Sequence, residues 1–246
     1  MPSARDRYYN YIVEKMSSIK SVFPSLQGQT DPYVFSALCL KSNLFKNPAL
    51  SLSDDDLAEM VVDSQFDGGV DILLTDPNSE ASDFIIGQSK FYKTISSEDV
   101  LNALMKMARF YENMESGHYE QVNSVVQRRY LTLISEVGEE SKIHFVFYTS
   151  ALQGSIRKEN IEKKFKEQFL DSNNIEVSLY FGKDIEAEIK ESESRRPTVE
   201  IGKIKIDKAG NYLTYGDDAI IVNISAFSIK QLYAQYNTNL LARNLR

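Results

Sequence analysis

The chain is poor in the residues that build covalent cross-links or soft-metal sites. Among 246 residues there is one cysteine, Cys39, and there are two histidines, His118 and His144. One thiol excludes a disulfide within the chain, and so few thiol and imidazole groups argue against structural or catalytic zinc. Long apolar runs are also missing. Stretches such as Phe145 to Tyr148 and Ile220 to Val222 fall far short of the ~20 residues that cross a bilayer. The N-terminus carries Arg5, Asp6, Arg7, Tyr8 and Tyr9, not the apolar core of a signal peptide. Repeats and low-complexity tracts are lacking too. These absences set the expectation of a cytoplasmic protein with no membrane segment. The length allows one large domain, or a main domain with an appendage.

Basic residues are missing from one long stretch. The net charge is −7, and between Ser51 and Ser89 there are ten acids with no lysine or arginine. The rest of the chain carries a small net positive charge. Most of the surface can therefore face phosphates, while the acidity gathers where a divalent cation would offset it.

Within that stretch lies Asp67-Gly68-Gly69-Val70-Asp71, followed by Gln88-Ser89-Lys90. Apolar and β-branched residues predict strands at 70–75 and 83–92, and Asp76-Pro77-Asn78-Ser79-Glu80 between them is turn chemistry. An antiparallel hairpin centred near Ser79 sets Asp71 opposite Gly87 or Gln88. Alternation puts Gln88 and Lys90 on one face and Ser89 on the other. An acid, an amide and an amine then converge, which is how a metal-dependent phosphodiesterase site is built.

The surrounding pattern predicts helices at 8–23, stopped by Pro24, and at 33–45. A third is capped by Ser53 with Asp54 to Asp56 in its first turn, and a fourth at 98–111 follows a Ser96/Asp99 capping box. Further helices are expected at 119–137 and 157–170, and strands at 142–149 and 175–181. Alternating strands and helices predict an α/β sheet covered by helices. The Glu-, Ser-, Arg- and Pro-rich stretch 188–197 reads as a linker. Beyond it, strands at 198–206 and 219–225, a turn at Gly210-Asn211 and a helix at 228–245 form a small C-terminal α+β appendage. The expected division is 1–190 and 191–246.

The segments VVDSQFDGGVDILL and IIGQSKFY resemble the PD-(D/E)XK nuclease superfamily, particularly its Mrr-like branch. With that motif upstream, the ending LYAQYNTNLLARNLR resembles the abortive infection phage resistance (AIPR) family. The likeness runs from about Phe35 to Arg246. Family members usually continue beyond that point, so the resemblance implies either the N-terminal portion of a longer protein or a short member. It also implies a restriction-endonuclease-like mixed sheet flanked by helices, and Mg²⁺-dependent (or Mn²⁺-dependent) cleavage of DNA in bacterial defence against phage, with RNA left open. Cutting both strands would need two sites, hence a homodimer.

Residue by residue, the resemblance makes Asp71 a metal ligand through a hard carboxylate oxygen. Gln88 stands where many members carry glutamate and would ligate or orient through its carbonyl oxygen, without charge. Lys90 would position the attacking water or neutralise charge developing on the phosphate. Asp63 and Glu59, at the end of the preceding helix, are further candidate carboxylates. Asp67 fits either a ligand or a turn residue beside the glycines. Lys90, Lys93, Lys106, Arg109, Arg128 and Arg129 are candidates to line a DNA groove, against the reading that they merely solvate helix faces.

Two other readings compete. The site could belong to a catalytically inactive nucleic-acid-binding or sensor module of a defence protein. The acids also match a calcium loop with Asp63 first, Asp67 fifth, Gly68 sixth and Asp71 ninth, but Leu74 holds the twelfth position, where a glutamate is needed. His144 is expected as a packed residue of a buried strand and His118 as a loop residue. The tyrosines of the tail helix fit interface or core better than a base-stacking platform.

Overall fold

Helix α1 (Ala4–Val22) buries Ile12, Met16 and Ile19, a spacing of four and three residues that repeats one helical face. Pro24 follows its end. Helix α2 (Asp31–Asn43) carries Pro32 in its first turn, where a missing N–H costs nothing. Helix α3 (Asp54–Met60) starts at a reciprocal box: Ser53 Oγ accepts the Asp56 N–H at 3.1 Å while the Asp56 carboxylate accepts the Ser53 N–H at 3.1 Å. The computed structural model describes residues 4–47, 50, 52–138, 140–169, 174–194, 212–215, 219–222 and 230.

Strands β1 (Ile72–Thr75) and β2 (Phe84–Lys90) form the expected antiparallel hairpin, with Ile72 opposite Gly87 and Thr75 opposite Phe84. Helix α4 (Ser97–Glu115) opens on the Ser96/Asp99 box. Where one helix is expected over 119–137, the chain makes a 3₁₀ turn at Tyr119–Gln121 and only then α5 (Ser124–Ile134). The cause is Asn123, whose side-chain oxygen accepts the N–H groups of Val125 and Val126 at 3.0 Å each and so begins a new helix. Strand β3 (Ile143–Thr149), helix α6 (Lys158–Lys166) and strand β4 (Ile175–Tyr180) complete the alternation.

The expected linker is corrected over its first part, because α7 (Gly182–Ser194) is a helix. Ile185 and Ile189 lie one turn apart and are buried, while the charges that mimic a linker pair with one another and with side chains from α2 and the residues after it. Lys190 donates to Glu186 at 2.6 Å, and Lys46 pairs with Glu188 and Glu191 at 3.0 and 3.2 Å.

The four strands form one mixed sheet in the order β1-β2-β3-β4, antiparallel at the hairpin and parallel at the other two junctions. The molecule is thus α/β. Leu73, Phe84, Ile86, Phe145 and Phe147 join one core with Leu104, Met107 and Tyr130 of α4 and α5. Ile72, Leu74, Ile85, Val146 and Tyr148 join the other with residues of α1, α2 and α7. Burial on both faces explains why β2 and β3 read as near-continuous apolar runs.

The chain divides into two compact units, and the larger ends at Ser194. The second contains β5 (Tyr212–Tyr215) paired antiparallel with β6 (Ala219–Val222). The expected strand at 198–206, turn at Gly210-Asn211 and tail helix at 228–245 lie outside the described residues, save Lys230. Among the described residues no helix is long and apolar enough to cross a membrane.

Candidate functional site

The hairpin ladder runs one step past β1 and changes character there. Asp71 donates its N–H to Gly87 O at 2.8 Å, and its Oδ2 accepts the N–H of Ser89 at 2.7 Å. A side chain has taken over the role of the next strand carbonyl, so β1 stops while β2 continues to Lys90. On the other edge of β1, Val61 bridges to Ile72 and Val62 donates to Asp71 O at 2.9 Å. The residue after Val62 is Asp63, which is how the chain leaving α3 delivers a second acid to the first. The loop then returns through Asp67. One carboxylate oxygen from each of Asp63, Asp67 and Asp71 lies within 4.8 Å of the others.

Glycine is required in that loop for two separate reasons. Gly68 and Gly69 have φ of 74° and 82°, the left-handed region. A Cβ on Gly68 would sit 2.9 Å from Phe110 Cδ2, and one on Gly69 would sit 3.0 Å from Lys106 Cβ. The backbone therefore lies directly on α4. Asp67 fixes the turn through Oδ1, which accepts from Gly69 N at 2.7 Å, and Oδ2, which accepts from Ser64 N at 3.3 Å. Asn123 fastens the outer part, donating from Nδ2 to Ser64 Oγ and Gln65 O at 3.0 Å and from its backbone N–H to Phe66 O at 2.9 Å.

Crowded acids in a half-buried setting resist ionisation. Asp71 is 4% exposed, and burial pushes its carboxyl up to about 7. Lys90 and the Ser89 N–H oppose that rise, while Asp63 and Asp67 add to it. Asp63 is also held above the usual carboxylate range by burial and then by Asp67. Gln88 follows the alternation onto the face of Ile86 and α4, the same face as Asp71. It is 2% exposed and its Oε1 has no hydrogen-bond partner among the described residues. An unpaired buried acceptor costs about 1–3 kcal/mol. Hard oxygens from three acids and one orphaned amide carbonyl fit a Mg²⁺- or Mn²⁺-sized cation and do not fit a thiophilic one.

The structure brings together Asp71, Lys90, Asp63 and Asp67, with Gln88 on the same sheet face and lining a cleft with Lys90, and it turns Ser89 to the opposite face, where its Oγ meets Ser36 Oγ at 2.7 Å. Glu59 does not join them. Its carboxylate is 71% exposed and pairs with Arg129 Nη1 at 3.3 Å, because the last turn of α3 points it away from the loop. Asp67, with both oxygens bonded to loop backbone, is a turn residue and a member of the acid group at once. The calcium-loop reading fails, since β1 and not a helix follows Asp71 and Leu74 is buried core.

Of the cations expected along a groove, Lys90, Lys106 and Arg109 line a cleft of about 360 Å³ together with Gln88 and Tyr92. Arg129 is removed from that set, since its Nε donates to Leu73 O at 3.3 Å. Lys93 lies over the Tyr9 ring at 5.0 Å, and Arg128 lines a separate surface with Gln127 and Leu131. His144 packs in β3 with Nε2 at 2.9 Å from Ser178 Oγ. Sequence reasoning passed over Phe66 and Tyr92 as site residues, the exposed aromatics in the loops that carry the motifs. Phe66 carried a signal, an aromatic residue between polar ones, whereas Tyr92 falls within the strand expected at 83–92.

None of the protein-family models, curated proteins or solved structures compared with the chain matches it.

Proposed function

We propose that the chain is a metal-dependent nuclease that hydrolyses DNA phosphodiester bonds, built on a restriction-endonuclease-like sheet. The observation that carries this reading is the convergence of Asp63, Asp67 and Asp71 beside Lys90 and the unpartnered Oε1 of Gln88. A mixed sheet whose acid and amine come from adjacent strands of one hairpin supports the fold assignment. Phage defence, a cytoplasmic setting and a homodimer follow as parts of the same proposal, on the resemblance of the motifs.

Asp71, Asp63 and Gln88 would hold the cation, with Asp67 contributing to the charge that attracts it. When bound, Mg²⁺ or Mn²⁺ would supply Lewis acidity at the phosphate and offset the acids. Water attacks phosphorus and the bond to the leaving sugar oxygen breaks. The Lys90 ammonium offsets the charge that grows on the non-bridging oxygens. The Ser89 N–H holds the Asp71 carboxylate in one orientation, so no reorganisation of that acid accompanies the step.

Nicking of supercoiled plasmid with and without Mg²⁺ or Mn²⁺ tests the reading. Cleavage by the wild type, lost in Asp71→Ala and Lys90→Ala, is the expected outcome. Equal inertness of all three with either cation would leave the nucleic-acid-binding module as the surviving reading. Light scattering tests the dimer, and a strict monomer counts against it.

A further inference from the structure

Among residues whose side chains the structure describes, two aromatics stand open to solvent: Phe66, 80% exposed, and Tyr92, 53% exposed. Every other tyrosine or phenylalanine whose side chain is described is at least partly buried. The two exposed ones belong to the two loops that carry the candidate site. Phe66 lies between Asp63 and Asp67, and Tyr92 comes two residues after Lys90 and lines the same cleft as Gln88 and Lys90. Phe66 also has φ of 61°, a conformation that costs a residue with a Cβ, held by the Asn123 N–H on its carbonyl at 2.9 Å.

Beside Tyr92 runs a polar stripe of α4, and Gly68, two residues after Phe66, lies against the same helix. Lys106 and Arg109, three residues apart, line both the 360 Å³ cleft and a second cavity of about 190 Å³ reached past Gly68 and Val122. Neither cation forms an ion pair among the described residues. Asp99 also lines the cleft, but its carboxylate is engaged by Ser96 in the helix cap. The cleft's volume is at the low end of the ~300–1,000 Å³ typical of small-ligand sites, room for one nucleotide and not for a duplex.

We propose that this groove takes a single-stranded polynucleotide, with phosphates tracking Lys106 and Arg109 and unstacked bases resting on Phe66 and Tyr92. Exposed rings accept any base because every base has a π-face, and two cations on one helix face follow a backbone without reading sequence. A paired duplex offers no free base faces to either ring. The direction of the strand past Asp71 rests on the nuclease reading; the binding itself does not.

The test is fluorescence anisotropy of the full chain in EDTA, where cleavage plays no part. The probes are labelled oligo-dT, oligo-U and a duplex of equal length. Either single strand is expected to bind at least tenfold tighter than the duplex, and the dT and U arms separate DNA from RNA. Phe66→Ala and Tyr92→Ala should each weaken single-strand binding about tenfold, within the range of base–aromatic stacking. Phe66→Leu, which keeps the apolar bulk, should weaken it as well, and Tyr92→Phe should restore it. Lys106→Ala and Arg109→Ala should flatten the salt dependence. Tighter duplex binding, no single-strand binding, or ring variants that bind like wild type would overturn the proposal. Metal-dependent plasmid cleavage would survive any of those results, and binding would survive its failure.

Discussion

The carboxylate of Asp71 holds the backbone N–H of Ser89 at 2.7 Å, one residue beyond the last backbone pair of β1 with β2. That bond fixes the acid and ends the hairpin in the same stroke. It keeps an ionisable group in the interior at a position where the sheet would otherwise continue.

The first expectation concerns pH. Asp71 titrates at about 7 in the folded chain, above the unfolded value of roughly 3.9. The folded state therefore binds the extra proton between those values, and stability falls as pH rises from about 4 through about 7. In EDTA, urea unfolding should give a lower free energy at pH 8 than at pH 5, with a slope of at most ~1.4 kcal/mol for each step of one in pH. Asp71→Asn keeps an acceptor for Ser89 and should remove most of that slope. An unchanged slope in the variant would assign the pH dependence elsewhere.

Lys90 stands beside Asp71 and Asp63 and opposes the rise of both. Lys90→Ala should lower single-turnover cleavage by roughly 10²- to 10³-fold, the range seen when one transition-state donor is lost. Far-ultraviolet dichroism should stay unchanged. A loss of less than tenfold would deny Lys90 its assigned role.

Gln88 has an unpaired oxygen in a site already rich in acid. Gln88→Glu adds a charge there, so calorimetry should record tighter Mn²⁺ binding than wild type. Without cation the variant should melt earlier, because a further buried carboxylate must be kept protonated or desolvated. Weaker Mn²⁺ binding would remove Gln88 from the ligand set.

Gly69→Ala meets both a positive φ and the Lys106 Cβ at 3.0 Å. It should cost about 1–3 kcal/mol in denaturant unfolding and reduce cleavage as the loop shifts. An alanine variant of wild-type stability would mean the loop can move off α4.

Glu59→Gln is the counterpart control. Its only described partner is Arg129 across an exposed pair, so plasmid cleavage should match wild type and stability should change by less than ~1 kcal/mol. A large loss of cleavage would return Glu59 to the site.

Local signals carried the expectations that held. Ser three residues ahead of Asp begins α3 and α4, and the turn at Ser79 with period-two alternation gives the register that sets Asp71 against the Gln88 face. What escaped depended on tertiary context. Glu188 and Glu191 read as linker because their partners Asn43 and Lys46 are far away in sequence. Glu59 and Asp63 looked equivalent beside a helix end, and the Val62 bond to Asp71 O and the Arg129 pair with Glu59 distinguish them. Arg129 looked like a groove cation until its Leu73 and Glu59 bonds accounted for it.

Asn123 joins two tasks in one side chain. Its oxygen begins α5 and its nitrogen holds Ser64 and Gln65 in the acid loop. Helix integrity and carboxylate spacing are therefore not separate traits. A substitution at this amide that loosens the first turn of α5 also releases the loop on which Asp63 and Asp67 ride, so helix stability and the spacing of the acids would be lost together, from a residue outside the acid group.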